Sequence, residues 1–225
     1  MKKNLGVKNY FSQSQESLQN LPAIQKLLEE IGTAPTVAKL NAACEIYDFQ
    51  LGDEIAKYQK QESGIQGFEK SEIDSNCYLL SQGKVRLLAV EASQEQEVSA
   101  AVLEIGEIFG QDNLFIESGL PYRAIAAGTC QIVRIDATKF KPILEEFPQL
   151  RQQLQQQYQQ RQRLLFFKTQ TELRSLDPQQ QQILWPYLLP YIEETRIPAG
   201  VSLAQSQKST NHFWLHSGQV QGKKP

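Results

Sequence analysis

The sequence predicts a mainly β, α+β chain. The expected core is an antiparallel jelly-roll or double-stranded β-helix sandwich, flanked by helices and followed by an incomplete second copy. Three observations carry that prediction. Short apolar runs between Ile46 and Asp136 are separated by turn residues at close spacing, the pattern of a sandwich or barrel. Apolar residues at helical spacing precede and follow this block. The segment Asn76–Val85 also aligns without gaps to Asn211–Val220, which is self-similarity on the scale of a domain.

Residues 1–20 are polar and read as a loose tail. From Leu21 to Cys44, Ile24, Leu27, Leu28 and Ile31 keep helical spacing, and Gly32–Pro35 breaks it. Val37, Leu40, Ala43 and Cys44 then resume it, so two short helices are expected. Ile46–Ala56 reads as a strand pair around Leu51, Gly52 and Asp53, and the polar stretch Gln61–Ser75 reads as a surface loop. Cys77–Leu80 and Val85–Val90 are strands joined through Gln82, Gly83 and Lys84. Ser99–Leu103 and Tyr122–Asp136 supply further strands. Ala137–Phe147 is helical, with Phe140, Ile143, Leu144 and Phe147 on one face. Pro148 suits the first turn of a Gln-rich helix, in which Leu150, Leu154, Tyr158 and Leu165 form a stripe that Arg161 interrupts. That stripe predicts a helix packed on its own sandwich, and the alternative is a homodimer helix around Leu150–Leu165. The resulting division is a tail over 1–20, one domain over 21–165, and the opening of a second over 166–225.

Composition narrows the function classes. The 225 residues carry a net charge of −2, which is no broad basic footprint for nucleic acid. No apolar run is long enough to span a bilayer, and the N-terminus lacks the apolar core of a secretory signal. Cys44, Cys77 and Cys130 are odd in number and scattered, as expected of reduced, buried thiols in a cytoplasmic protein. His212 and His216 stand four apart on an expected strand with no metalloprotease pattern, so no metal site is expected. No nucleophile elbow, P-loop or metalloprotease pair is present, so no catalytic residues, enzyme activity or cofactor are expected.

Leu103–Phe115 is the most informative stretch. An apolar strand runs into a turn at Gly106, then Phe109 and Gly110, then a short polar-started helical turn. Leu120–Ala126 follows, with Arg123 on a new strand. Gly110 admits close approach of a ligand to the backbone, Asp112 is placed to cap a turn facing an anion, and Arg123 offers charge-assisted hydrogen bonds to phosphate. The stretch resembles the phosphate-binding cassette of cyclic nucleotide-binding domains, the module of catabolite activator protein and of cyclic-nucleotide-dependent kinases. The resemblance extends over roughly residues 21–165. It implies a possible ligand, cyclic AMP or cyclic GMP, held by Phe109, Gly110, Gln111, Asp112, Asn113, Tyr122, Arg123 and Ala124.

Two departures from the family pattern bear on affinity. The family's ribose-binding Glu is Gln111 here, and its phosphate-binding Arg aligns with Leu120 or Pro121. Arg123 therefore arrives two or three residues late, which on a strand can turn it to the other face. Weak or no binding of cyclic AMP is expected.

The second copy is expected to repeat the first. Phe49–Ile55 is echoed by Arg196–Leu203, and Gly83 and Gly218 should share one turn position with positive φ. The second copy lacks the Gln61–Ser75 insertion and stops at Pro225, before any counterpart of Gly110 or Arg123. The leading functional expectation is a non-catalytic cytoplasmic regulatory or sensor module. The alternative is a protein-contact accessory region, similar to tandem domains of this type ahead of the peptidase and transporter parts of bacterial toxin-exporting ATP-binding cassette proteins. A transcription regulator would need a helix-turn-helix where Thr171–Pro225 instead begins another sandwich.

Overall fold

The computed structural model describes residues 34–58, 75–90, 97–115, 119–195, 197–201 and 214–215. The expected helix over Ile24–Ile31 and the Gln61–Ser75 loop, apart from Ser75 itself, lie outside these residues.

Helix α1 (Ala34–Asn41) leads into β1 (Cys44–Phe49) and β2 (Glu54–Tyr58), which are joined by the turn Gln50–Asp53. Then come β3 (Asn76–Gln82), β4 (Val85–Val90), β5 (Glu97–Leu103), the two-residue β6 (Ile108–Phe109), a 3-10 turn at Gln111–Asn113, β7 (Tyr122–Ala126) and β8 (Cys130–Asp136). They form two antiparallel four-stranded sheets, in the orders β1-β8-β3-β6 and β2-β7-β4-β5. The sandwich over Ile46–Asp136 is as expected, and the helices flank it.

The two sheets differ in how they are covered, and their sequences show it. In β3, Cys77 and Leu79 face the helices while Tyr78 and Leu80 face the other sheet, so the strand is apolar on both sides. In β7 only alternate residues are buried, because its outer face meets solvent. One core therefore lies between the first sheet and the helices, around Leu40, Leu79, Val133, Ile135, Phe140 and Leu154. The other lies inside the sandwich, around Leu80, Val85, Leu87, Phe109, Ala124 and Ile132.

Helix α2 (Ala137–Glu146) starts at Asp136, whose carboxylate accepts from the Thr138 backbone N–H at 2.9 Å. It buries Phe140, Ile143 and Leu144. Helix α3 (Pro148–Gln170) lays Leu150, Leu154, Tyr158, Arg161 and Leu165 onto the chain's own sandwich. The stripe considered for a homodimer is thus already covered by the chain's own sheets.

After a 3-10 turn (Glu172–Ser175), helix α4 (Pro178–Leu188) is held by a capping box between Asp177 and Gln180. Trp185 of α4 joins Phe166 and Phe167 of α3 in a third apolar cluster, with Trp214 edge-on to Phe167 at 5.1 Å.

The described turns inside the two echoed segments, Gln50–Asp53 and Pro198–Val201, share one backbone form. In the turn Gln50–Asp53, the Asp53 N–H donates to Gln50 O at 3.0 Å, with Gly52 at φ 89°. In Pro198–Val201, the Val201 N–H donates to Pro198 O at 3.3 Å, with Gly200 at φ 83°. Both place glycine third in a turn that needs a positive φ there. Gly83 also has positive φ, 83°, while Gly218 and most of Asn211–Val220 lie outside the described residues.

Candidate functional site: the cassette and its helix

The site begins at the end of β6. Phe109 is buried and stacks on Tyr78 with ring centroids 5.2 Å apart. Gly110 then takes the left-handed conformation, φ 77° and ψ 17°, and becomes the N-cap of the 3-10 turn. A Cβ there would overlap the Tyr58 hydroxyl, so both the backbone angle and the space require glycine. The Gly110 N–H donates to the Tyr122 hydroxyl at 3.1 Å.

The sequence pattern predicts Asp112 as the cap of this turn, but the turn has no side-chain cap. Asp112 points across to other elements instead. Its carboxylate accepts from the Tyr122 hydroxyl at 2.8 Å, the Tyr158 hydroxyl at 3.3 Å and the Gln162 amide at 3.4 Å. Burial pushes its carboxyl up, and the Tyr122 hydrogen bond opposes that. Tyr122 is raised well above the usual tyrosine value, first by burial and then by the neighbouring Asp112 charge. Asn113 donates to Asn76 O at 2.7 Å, which fastens the far end of the turn to β3.

Strand alternation sorts the residues of β7. Tyr122 and Ala124 point into the sandwich, and Arg123 points out of it. Arg123 makes a two-pronged pair with Glu97, Nε and Nη2 each 2.7 Å from a carboxylate oxygen, and Nη1 is 2.7 Å from Glu54. Those hydrogen bonds, Glu97 first, raise its pKa further. So Phe109, Gly110, Gln111, Asp112, Asn113, Tyr122 and Ala124 are brought together, and Arg123 is carried to the opposite face.

The residue that meets Gln111 is Arg161, which in the sequence is only an interruption of the α3 stripe. Its Nη1 donates to Gln111 Oε1 at 2.8 Å and to Ile108 O at 2.5 Å, and its Nη2 lies 3.1 Å from Glu107. The Arg161 side chain is 8% exposed. Gln111 is buried, and its Nε2 has no hydrogen-bond partner. Leu120, at the position where the family's Arg is sought, packs against both the sandwich interior and the Phe166–Phe167–Trp185 cluster. Its N–H donates to Gln162 Oε1 at 2.7 Å. Tyr158, Arg161, Gln162 and Leu165 share one face of α3, in phase with Leu150 and Leu154. That phase is the signal in the sequence that points to Arg161, since a buried arginine must find acceptors.

Residues 67–147 match the cyclic nucleotide-binding domain family. The matched segment contains β3 to β8 and all of α2, and with them the cassette. Among solved structures, the chain is similar to the regulatory domain of Toxoplasma gondii PKA with cAMP, at 17% identity and TM-score 0.44 over 63% of this chain and 48% of that one. It is similar to the Thermus thermophilus catabolite activator protein at 22% identity and TM-score 0.43, over 58% and 55% of the two chains. The sensor domain of the transcriptional regulator DNR from Pseudomonas aeruginosa follows at 15% identity and TM-score 0.46, over 68% and 94%. The chain spans about half the length of the first two of these structures. No curated protein matches it.

Among the described residues, no group of three or more His, Cys, Asp or Glu could hold a metal ion, and His212 and His216 lie outside them. No described helix is long and apolar enough to cross a membrane. Cys44, Cys77 and Cys130 are buried free thiols, and burial pushes Cys44 up to about 12 and Cys130 to about 11.

Proposed function

We propose that residues 21–165 form a non-catalytic regulatory module of the cyclic nucleotide-binding fold with weak or no affinity for cyclic AMP, and that residues 166–225 open a second such module. The observation that carries the ligand reading is the position of Arg123. Its guanidinium stands on the outer face of β7, with both ends taken by Glu97 and Glu54. Gln111 offers a neutral amide in place of a carboxylate, and its carbonyl is already committed to Arg161. Hydrogen bonds to charged groups contribute about 1.5–3 kcal/mol, against about 0.5–1.5 for neutral ones. Losing both charged contacts thus removes several powers of ten in affinity. The turns at Gly52 and Gly200, each with glycine third and at positive φ, support the tandem reading.

The test is a thermal-shift panel with cyclic AMP, cyclic GMP and cyclic dinucleotides. A ligand at about a hundred times its dissociation constant stabilises the native state by about 2.7 kcal/mol. No shift is expected with micromolar cyclic AMP. A shift that Arg123→Ala abolishes would overturn this reading.

A second reading, a module for protein contact, draws on α4 and the turn after it. Ile183, Tyr187 and Tyr191 recur every four residues and are 67%, 73% and 85% exposed.

A further inference from the structure

We infer that the outer face of α4, around Tyr187, Pro190 and Tyr191, is a docking face for a separate amphipathic helix of α2's pattern. The inference rests on residues 166–225 opening a second module and on α4 serving protein contact. It adds the occupant of that face and the direction in which it is seated.

α4 is apolar on two sides. Leu184, Trp185 and Leu188 pack with Phe166 and Phe167 in the third cluster, while Ile183 and Tyr187 stay exposed. A helix that is apolar all round is a helix covered all round. No Asp, Glu, Lys or Arg occurs from Pro178 to Ile192, and depletion of charge with exposed Tyr marks the centre of a protein interface. The first module shows what covers such a face. Laying the Gly200 turn on the Gly52 turn sets α4 on α1, with Leu188 on Leu40, Tyr187 on Lys39, Pro190 on Ala42 and Tyr191 on Ala43. The last three are the positions that meet α2 and its N-cap. Lys39 Nζ lies 3.0 Å from Glu146, Lys139 Nζ donates to Ala42 O at 3.4 Å, and the Asp136 N–H donates to Ala43 O at 2.9 Å. Ala43 is 5% exposed under that cover, and Tyr191, its counterpart, is 85% exposed. The same geometry gives the direction: the occupant's N-terminus lies at Tyr191 and its last turn at Tyr187. Its apolar side follows Phe140 and Ile143, which share one core with Leu40. Tyr187 stands where the first module has the cation that holds Glu146, so the occupant needs no carboxylate there and binds through aromatic area. α2 itself is already seated on α1, so the occupant is a second helix of its kind.

The test adds a fluorescein-labelled peptide of α2's own sequence, Asp136 to Phe147, to the full chain and follows its anisotropy. Binding is expected with a dissociation constant on the order of 100 μM. Tyr187→Glu combined with Tyr191→Glu should weaken it at least about tenfold, and so should Phe140→Asp with Ile143→Asp in the peptide. No binding up to about 1 mM, or equal affinity for the double variant, overturns the inference, the latter because the peptide then sits elsewhere. Should the double variant fail to fold, hydrogen exchange in the wild type decides. The peptide should slow exchange across 178–192 at least about threefold, and unchanged rates there overturn the docking face. Sedimentation of the chain without peptide separates this inference from the contact reading beneath it. A chain that self-associates through Tyr187 yet takes no peptide keeps α4 as a contact and overturns the helix as its occupant. A monomer that takes no peptide overturns both.

Discussion

Arg123 and Arg161 stand in regions that treat a guanidinium in opposite ways. Arg123 lies on the solvent-facing side of the second sheet, its side chain 30% exposed, between two carboxylates. Arg161 lies at the seam between the cassette and α3, its side chain 8% exposed, on carbonyl oxygens and one carboxylate. Element period decides the difference. On a strand, the residue beside inward Tyr122 must point outward. On α3, the residue in phase with Leu150, Leu154 and Tyr158 must point inward. Charge follows the backbone's periodicity, and the chemistry available to each arginine follows from where the backbone leaves it. The energetic consequences should be as unequal as the burial, and four substitutions measure how unequal.

The largest effect is expected from Arg161→Ala. It strips the buried Ile108 carbonyl and Gln111 carbonyl of their donor and leaves space in the seam. Unsatisfied buried acceptors cost about 1–3 kcal/mol each, so a loss of about 3 kcal/mol in denaturant unfolding is expected. A loss below about 1 kcal/mol would erase the contrast with Arg123.

Next is Gly110→Ala, which probes the same seam through the backbone. The left-handed φ of 77° and the overlap with the Tyr58 hydroxyl should together cost about 2 kcal/mol. Combining it with Tyr58→Phe should recover the steric part and leave the backbone part. Full recovery would show that conformation at Gly110 contributes nothing.

Asp136→Ala is the intermediate case, because its side chain is partly exposed, at 33%, yet accepts from the first turn of α2. Loss of such a cap costs about 1 kcal/mol. The Thr138 hydrogen bond holds this carboxyl below its ordinary 3.8. A depressed acid stabilises the fold above its unfolded pKa and loses that contribution as pH falls through the folded one. The gap between wild type and variant in urea midpoint should therefore be full at pH 7 and close as pH drops below about 4. A gap that persists at pH 2 would mean that helix propensity, and not the charged cap, accounts for it.

The contrast also shows what can be read from residues alone. Strand positions are legible, because burial alternates along β4 and β7 while β3 runs apolar from Cys77 to Leu80 and β8 is buried from Cys130 to Val133. The turn at Gly200 is legible through its echo of Gly52. The face of Arg123 is left open by the count, three residues from Leu120 and two from Pro121, and the inward Tyr122 beside it decides it. The phase of Arg161 marks it as buried, but its acceptors at Ile108 and Gln111 are distant in sequence, so the side chains it meets are not legible, and an apolar-stripe reading treats the charge as a gap. Asp112 is misplaced by the sequence for a related reason. A cap is a local rule, and the left-handed Gly110 takes the N-cap position, leaving the carboxylate to Tyr122, Tyr158 and Gln162. Local rules place elements well. They do not reveal which distant side chain arrives to satisfy a polar group.

The smallest effect is expected at Arg123. Its pairs with Glu97 and Glu54 have good geometry, but exposed ion pairs are screened and contribute little. Arg123→Ala should cost less than about 1 kcal/mol, and a double-mutant cycle with Glu97→Gln should give a coupling that shrinks as salt is raised. The same variant separates stability from ligand binding. If Arg123 serves only the outer face, its removal shifts the melting curve slightly and equally with and without cyclic AMP. If cyclic AMP stabilises the wild type and Arg123→Ala alone removes that gain, the arginine must leave Glu54 and Glu97 and reach the inner face when ligand is present. That requires a local change of register in β7, such as a bulge that re-aims the side chain. β2 already carries a register shift opposite β7, between Glu54 and Ala56, so the pairing next to Arg123 is the place where such a change would appear.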